Sequence, residues 1–450
     1  MSELALEALP IFLIFATFMV VLFSGYPVAF VLGGTGVAFA ALGTVIEPFD
    51  IFPDVAELRM VGFVANRIFD TISSYSLVPM SMFIFMGYML DRSGIAERLL
   101  KAMRRVLGPM PGGLAISVVL IGMVLAASTG IIGASVVLLA TIALPTMFEA
   151  GYARWLSLGT VGATGCLGIL IPPSIMLVVM GDQLRISVGD LFMGAMIPGA
   201  LLAMAFVVFL VIVALVKPSA MPPYRKEAGA PGAMREFVTA LVAPLALVLA
   251  VLGSIVAGIA SPTEASGIGA AGATLLALAN RKLSWNDLRQ VCYATGRTTA
   301  FLYLLIFGAS CFSVVLRGYG GDEVIEDLLY ALPLGPYGLL AFVLGVIFAL
   351  GFFLDWMEIV LIVAPLVLPI LTASGFDPVW VAILFALCLQ SSFLTPPVGM
   401  ALFYLRNASP EVKMSEIYLG ALPFVAIQLL VLLIVALVPG LALWLPQAGG

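Results

Sequence analysis

Long apolar runs with almost no charge recur along the chain, and none alternates with the period of two that marks a strand. Runs such as 10–24, 236–258 and 423–439 approach the roughly 20 residues that a helix needs to cross hydrocarbon. A transmembrane barrel would show short alternating strands and a polar lumen face, a pattern absent here. Helices are then the remaining way to satisfy backbone groups in lipid. The runs predict spans near 8–24, 27–45, 76–91, 154–184, 189–216, 236–258, 263–280, 295–316, 378–406 and 415–445. Two stretches, 113–148 and 336–373, are long enough for two passes but are interrupted, the first at Ser128-Thr129-Gly130 and the second between Gly351 and Asp355. They read as hairpins that enter the membrane and return to their own side.

A shift of 224 residues superposes Leu144-Pro145 on Leu368-Pro369, Gly151 on Gly375 and Pro172-Pro173 on Pro396-Pro397. With one residue of slippage, Pro111-Gly112-Gly113-Leu114 matches Pro336-Tyr337-Gly338-Leu339. Each copy is thus a hairpin followed by a span with a proline pair inside it.

Lysine and arginine fix a direction for this pattern. Arg92 to Arg105, Lys217 to Arg235 and Arg281 to Arg297 bound three basic clusters, which the positive-inside rule places in the cytoplasm. Counting spans between clusters then starts the first hairpin inside and the second outside, so the fold class is an all-α polytopic membrane protein built on an inverted repeat. Both termini and the acidic loops Glu47 to Glu57 and Asp322 to Asp327 fall outside. The amino end has no basic flank like that of a cleavable signal peptide, and its first run reads as a retained helix. The Pro/Gly-rich stretch 217–235 reads as a cytoplasmic linker.

Composition agrees. The 450 residues are 62% hydrophobic and 10% charged, with a mean hydropathy of +1.19, against about 25% charged in an average soluble domain. A net charge of −5 with no dense basic stretch offers nothing to nucleic acid. The four cysteines are scattered in apolar segments without paired spacing, which fits neither a disulfide framework nor a zinc site. No Walker motif for ATP hydrolysis is present, and the absence of histidine excludes a histidine proton relay, though not a carboxylate one.

The candidate chemistry lies at the proline pairs, in GCLGILIPPSIM at 165–176 and QSSFLTPPVGMA at 390–401. A helix-interior proline lacks a donor and leaves a carbonyl upstream without its partner. Bare backbone at that depth is tolerated only where protein or a water-filled cavity meets it. One such break often serves only to kink a helix; two at matching places in a repeat, each behind a broken hairpin, favour a site. The freed carbonyls around Gly168 to Ile171 and Ser392 to Thr395 suit a hard cation such as sodium, while half-helix amino ends offer positive dipoles to an anion. Hydroxyls at Ser128, Thr129, Ser174, Ser391, Ser392 and Thr395 complete either shell. Asp355 and Glu358 beside the second tip, and Asp182 after the first broken span, are functional candidates by depth, or else sit at a cavity edge or pair with a cation. Gly267, Gly269 and Gly272 spell GxGxxG without a preceding strand, which points to close helix packing and away from a dinucleotide site. In SPTEA at 261–265, Ser261 and Glu264 have capping-box spacing.

The stretches PMSMFIFMGYMLDRSGIAERLL, GGLAISVVLIGMVLAASTGIIGAS, GILIPPSIMLVVMGDQLRISVGDLFMGAMIPG and LDWMEIVLIVAPLVLPI, with SPTEA and QSSFLTPPVGMALFYLR, resemble the large membrane subunit of tripartite ATP-independent periplasmic (TRAP) transporters over nearly the whole chain. The resemblance implies an elevator-type transporter of the bacterial inner membrane, driven by sodium with no other cofactor. It implies import of an organic acid, commonly a carboxylate, delivered by a periplasmic binding protein, and a separate small membrane subunit. One sodium site would involve Ser128, Gly168, Ile171 and Ser174, and the other Gly351, Ser392, Thr395 and Val398; Thr129, Ser391 and Asp355 are the substrate candidates. Scaffold helices would occupy 1–107 and 189–331, transport repeats 108–188 and 332–408, and a C-terminal helix 409–450. The rival readings are a self-sufficient carboxylate symporter or antiporter, an ion channel, which the broken-helix repeat disfavours, and an intramembrane enzyme, for which no nucleophile and base stand out.

Overall fold

The computed structural model describes residues 3–49, 55–129, 132–224 and 232–449, without the side chains of 3–6, 126–129, 233 and 449. Every regular element among them is helical. Seven of these helices are long and apolar enough to cross a bilayer, and the bent pair Leu58–Ser73 and Tyr75–Arg92 makes an eighth.

Small residues set how closely the helices approach. In Val28–Ile46 and Trp285–Gly318, a methyl on Gly36 would press on Cys311 and one on Gly308 would overlap the carbonyl of Ala29. Arg154–Cys166 crosses Met414–Leu437 at Gly159 and Gly420, where each glycine faces the other helix's backbone. Beside that crossing Phe424 meets Phe206 and Phe209 edge-on at 5.3 and 5.2 Å. Of the GxGxxG glycines, Gly269 abuts Met86 and Val251 and Gly272 abuts Leu247, whereas Gly267 faces open space. The motif is therefore a packing device. Ser261 and Glu264 form the capping box at the start of Pro262–Ala279, with Glu264 accepting from the Ser261 amide at 2.8 Å.

Three helices lie outside the apolar-run pattern. Gly62–Ser73 precedes the span at 76–91 and bends 58° from it at Ser74. Ile95–Leu107 and Gly321–Tyr330 carry too much charge to register as spans. Ile95–Leu107 buries Ile95, Ala96, Leu99, Leu100, Ala102 and Met103, one face at helical spacing, and turns its basic residues away. The expected single C-terminal helix is instead two, Met414–Leu437 and Gly440–Gly449. Pro439 disfavours helical geometry at the residue before it, and Val438 accordingly adopts φ −125°, ψ 76°. The last helix folds back onto Val188–Val216, where Gly194 faces the Ala442 carbonyl.

All three basic clusters meet at one end of the bundle. Arg105 pairs with Glu236, Arg98 bonds Asn280, and Arg92 lies 3.9 Å from Asp287. The described part of the stretch read as a linker is strapped down there. The Ala220 carbonyl accepts from the Ala153 amide at 2.9 Å, the Tyr224 amide donates to Gly108 at 2.7 Å, and the Arg104 guanidinium stacks over the Tyr224 ring. Residues 225–231 of the linker, 50–54 of the first acidic loop and Gly130 of the first hairpin tip lie outside the described residues.

Candidate functional site

The repeat is a repeat of backbone as well as of letters. The first copy comprises Gly113–Thr129, Ile132–Glu149 and Arg154–Cys166, a 3-10 turn Leu167–Ile169, and Ile175–Leu184. The second comprises Pro336–Leu350, Trp356–Ala373, Pro378–Phe393 and Met400–Ala408. Gly151 and Gly375, at equivalent turns, both have left-handed φ, +81° and +93°, which explains glycine at each. Pro172-Pro173 and Pro396-Pro397 are both cis. Within each copy the hairpin packs on its own broken helix: Gly122 faces Thr164 and Gly165 faces Val136 in the first, while Pro336–Leu350 lies on Pro378–Phe393 in the second. Beyond each break the packing is exchanged. Ile175–Leu184 rests on the second hairpin's returning arm, and Met400–Ala408 rests on Ile132–Glu149, where Gly133 faces the Tyr404 ring.

At the first break, prolines at 172 and 173 remove the donors that the carbonyls of Gly168 and Ile169 would have in a continuous helix. Ser174 restores one of these bonds by donating its hydroxyl to Ile169. Ser174 is fully buried and starts the next half-helix. Gly168, Ile171 and Ser174 thus lie in a single break. Ser128 and Thr129 are the last two residues of the first hairpin arm, and their side chains lie outside the described residues.

At the second break the equivalent of Ser174 is Val398, which has no hydroxyl to give, so the carbonyl of Phe393 gains no such replacement. Thr395 donates to the Ser391 carbonyl at 2.7 Å, Ser391 to Leu387 and Ser392 to Leu389, each at 2.8 Å. A hydroxyl whose proton is committed to a carbonyl offers its surroundings only lone pairs. Ser174, Ser391, Ser392 and Thr395 are all in this state, which suits a cation. Gly351, at the end of the second hairpin's first arm, lies so close to Ser392 that a methyl on it would overlap the serine hydroxyl. The structure therefore sets Gly351 against Ser392, whose carbonyl accepts from the Thr395 amide at 3.0 Å in the following turn.

Asp355 caps the returning arm, accepting from the Trp356 amide at 2.8 Å. A π-helical segment, Ile359–Val363, follows. Such segments recur at functional sites. Glu358 is 3% exposed, and one of its carboxyl oxygens has no hydrogen-bond partner among the described residues. Asp182 is paired, accepting from Ser74 at 3.0 Å and Gln183 at 2.9 Å. Residue patterns did not single out Gln390, wholly buried with both ends of its amide unpartnered among the described residues. The available signal was one amide directly after the apolar run VWVAILFALCL, just ahead of the break.

The family description "Tripartite ATP-independent periplasmic transporter, DctM component" matches residues 15–441. The chain belongs to this family. As a DctM component it is part of a transporter and not an enzyme. The C4-dicarboxylate TRAP transporter large permease protein DctM of Pseudomonas aeruginosa is 33% identical to it over 86% of this chain and 90% of that one. The isethionate TRAP transporter permease protein DctMQ of Oleidesulfovibrio alaskensis is 30% identical over 98% of this chain and 66% of that one. Among solved structures, the YdaH transporter of Alcanivorax borkumensis superposes with a TM-score of 0.67, covering 93% of this chain and 98% of that one at 14% identity, a likeness of fold.

Proposed function

We propose that this DctM component is the translocating subunit of a sodium-coupled importer of a small organic acid, working with a small membrane subunit and a periplasmic binding protein in the bacterial inner membrane. The observation that carries the reading is the pair of equivalent helix breaks, each with freed carbonyls and with hydroxyl lone pairs free of their own protons, set against the hairpins. Oxygen-rich cradles of this kind suit sodium. One would use Ser128, Gly168, Ile171 and Ser174, and the other Gly351, Ser392, Thr395 and Val398. Between them Thr129, Ser391 and Asp355 would contact substrate, with the half-helix amino ends turned to its carboxylate.

The repeats at 108–188 and 332–408 would move as one body against helices in 1–107 and 189–331, in an elevator. The basic end of the bundle would face the cytoplasm and both termini the periplasm. The named relatives carry chemically different acids, a C4-dicarboxylate and isethionate, and support an anionic substrate class without selecting a member.

Reconstitution tests this. Proteoliposomes holding the large and small subunits should take up substrate only when binding protein and an inward sodium gradient are both supplied. Uptake without either partner would replace the proposal with a self-sufficient symporter, and uptake indifferent to sodium would remove the ion sites.

A further inference from the structure

A cavity of about 580 Å³, within the usual size of small-molecule sites, lies apart from both breaks. Its walls come from four places: Arg67 on Gly62–Ser73, Arg185 just beyond Ile175–Leu184, Arg317 at the end of Trp285–Gly318, and Leu361 to Pro369 of the second hairpin. Three guanidiniums thus face two carboxylates, Asp70 and Asp182. Asp182 is already engaged by Ser74 and Gln183, and Arg317 is held by Asp322 at 3.1 Å. Arg67 and Arg185 have no side-chain hydrogen bond or ion pair among the described residues. Arg185 is further fixed in the left-handed conformation, φ +56°, where a non-glycine residue is uncommon. Planar guanidiniums suit bidentate recognition of carboxylate.

We infer that Arg67 and Arg185 form an anion-staging site at the outer mouth, which holds a small carboxylate before it reaches the hairpin tips. The inference rests on the importer reading and its topology, which place this cavity on the periplasmic side, opposite the basic clusters. Arg185 lies within the first repeat, 108–188, and Arg67 in the scaffold helices of 1–107, so a carboxylate held between them bridges the two bodies that the elevator would separate.

The test uses the full chain in proteoliposomes, in a Cys292→Ser background that removes the one exposed thiol among the four cysteines. A thiol is introduced in the cavity wall by Ser313→Cys and, as a second position, by Ser310→Cys. The reaction rates of an anionic and a cationic methanethiosulfonate are compared at low salt. The anionic reagent should react faster, succinate should protect, and Arg67→Gln with Arg185→Gln should lower the anionic-to-cationic rate ratio about fivefold or more and abolish protection, whereas lysine at both should retain the ratio. A ratio unchanged by the glutamines at both thiol positions overturns the staging site, even if sodium-driven uptake is intact. A lowered ratio in protein that shows no sodium-driven uptake even with the small subunit and binding protein supplied leaves the site standing and sinks the importer reading instead.

Discussion

A hydroxyl has one proton and two lone pairs, and in a helix its proton usually goes to the carbonyl one turn back. Ser392 and Thr395 do this beside carbonyls that proline has left free, so their oxygens remain as acceptors only. Removing the Thr395 hydroxyl should therefore weaken sodium without unfolding the helix. Thr395→Ala is expected to raise the sodium concentration for half-maximal uptake roughly tenfold, equivalent to about 1.4 kcal/mol, at normal expression. An unchanged sodium activation curve would move the ion elsewhere. Gly351 makes a complementary prediction, because its hydrogen is all that fits beside Ser392. Gly351→Ala should abolish most sodium-dependent uptake, and adding Ser392→Gly should restore part of the protein's thermal stability while leaving sodium activation impaired. Equal melting temperatures for wild type and Gly351→Ala in detergent would show that the contact is slack.

At the scale of elements, much was legible because proline, glycine and apolar length act locally. The proline pairs mark both breaks, Gly151 and Gly375 mark equivalent turns, and the 224-residue offset joins them. Ser261 and Glu264 announce a cap that the structure contains. Ile95–Leu107 and Gly62–Ser73 escaped because a one-faced helix at a membrane surface is no more apolar than a loop. The expected span 415–445 contains Pro439, which ends a helix, whereas Pro198 is accommodated inside Val188–Val216; only the surrounding packing distinguishes the two cases. Gln390 and the arginine-lined cavity escaped for another reason: each depends on which distant elements meet, and residue spacing does not encode that. The Gly159–Gly420 crossing belongs with them. Gly420→Val there should cost about 1–3 kcal/mol or more through overpacking, seen as a lower unfolding temperature in detergent. An unaltered melt would mean that the two helices separate freely.

For the whole molecule, the convergence of three basic clusters at one end supports a common side for all of them. Cys292 lies on the helix that carries the third cluster and is the one exposed cysteine of the four. In native protein a membrane-impermeant maleimide should therefore label inverted vesicles and spare right-side-out ones. Labelling of right-side-out vesicles alone would turn the whole assignment over.

The exchange of half-helices between the two copies has a mechanical corollary. Each short segment beyond a break leans on the opposite hairpin, Ile175–Leu184 on the second and Met400–Ala408 on the first. Displacing one hairpin would therefore disturb the packing of the other. Under the proposed elevator the two repeats would therefore travel together, and a conformer in which one hairpin shifts without the other would give up these contacts.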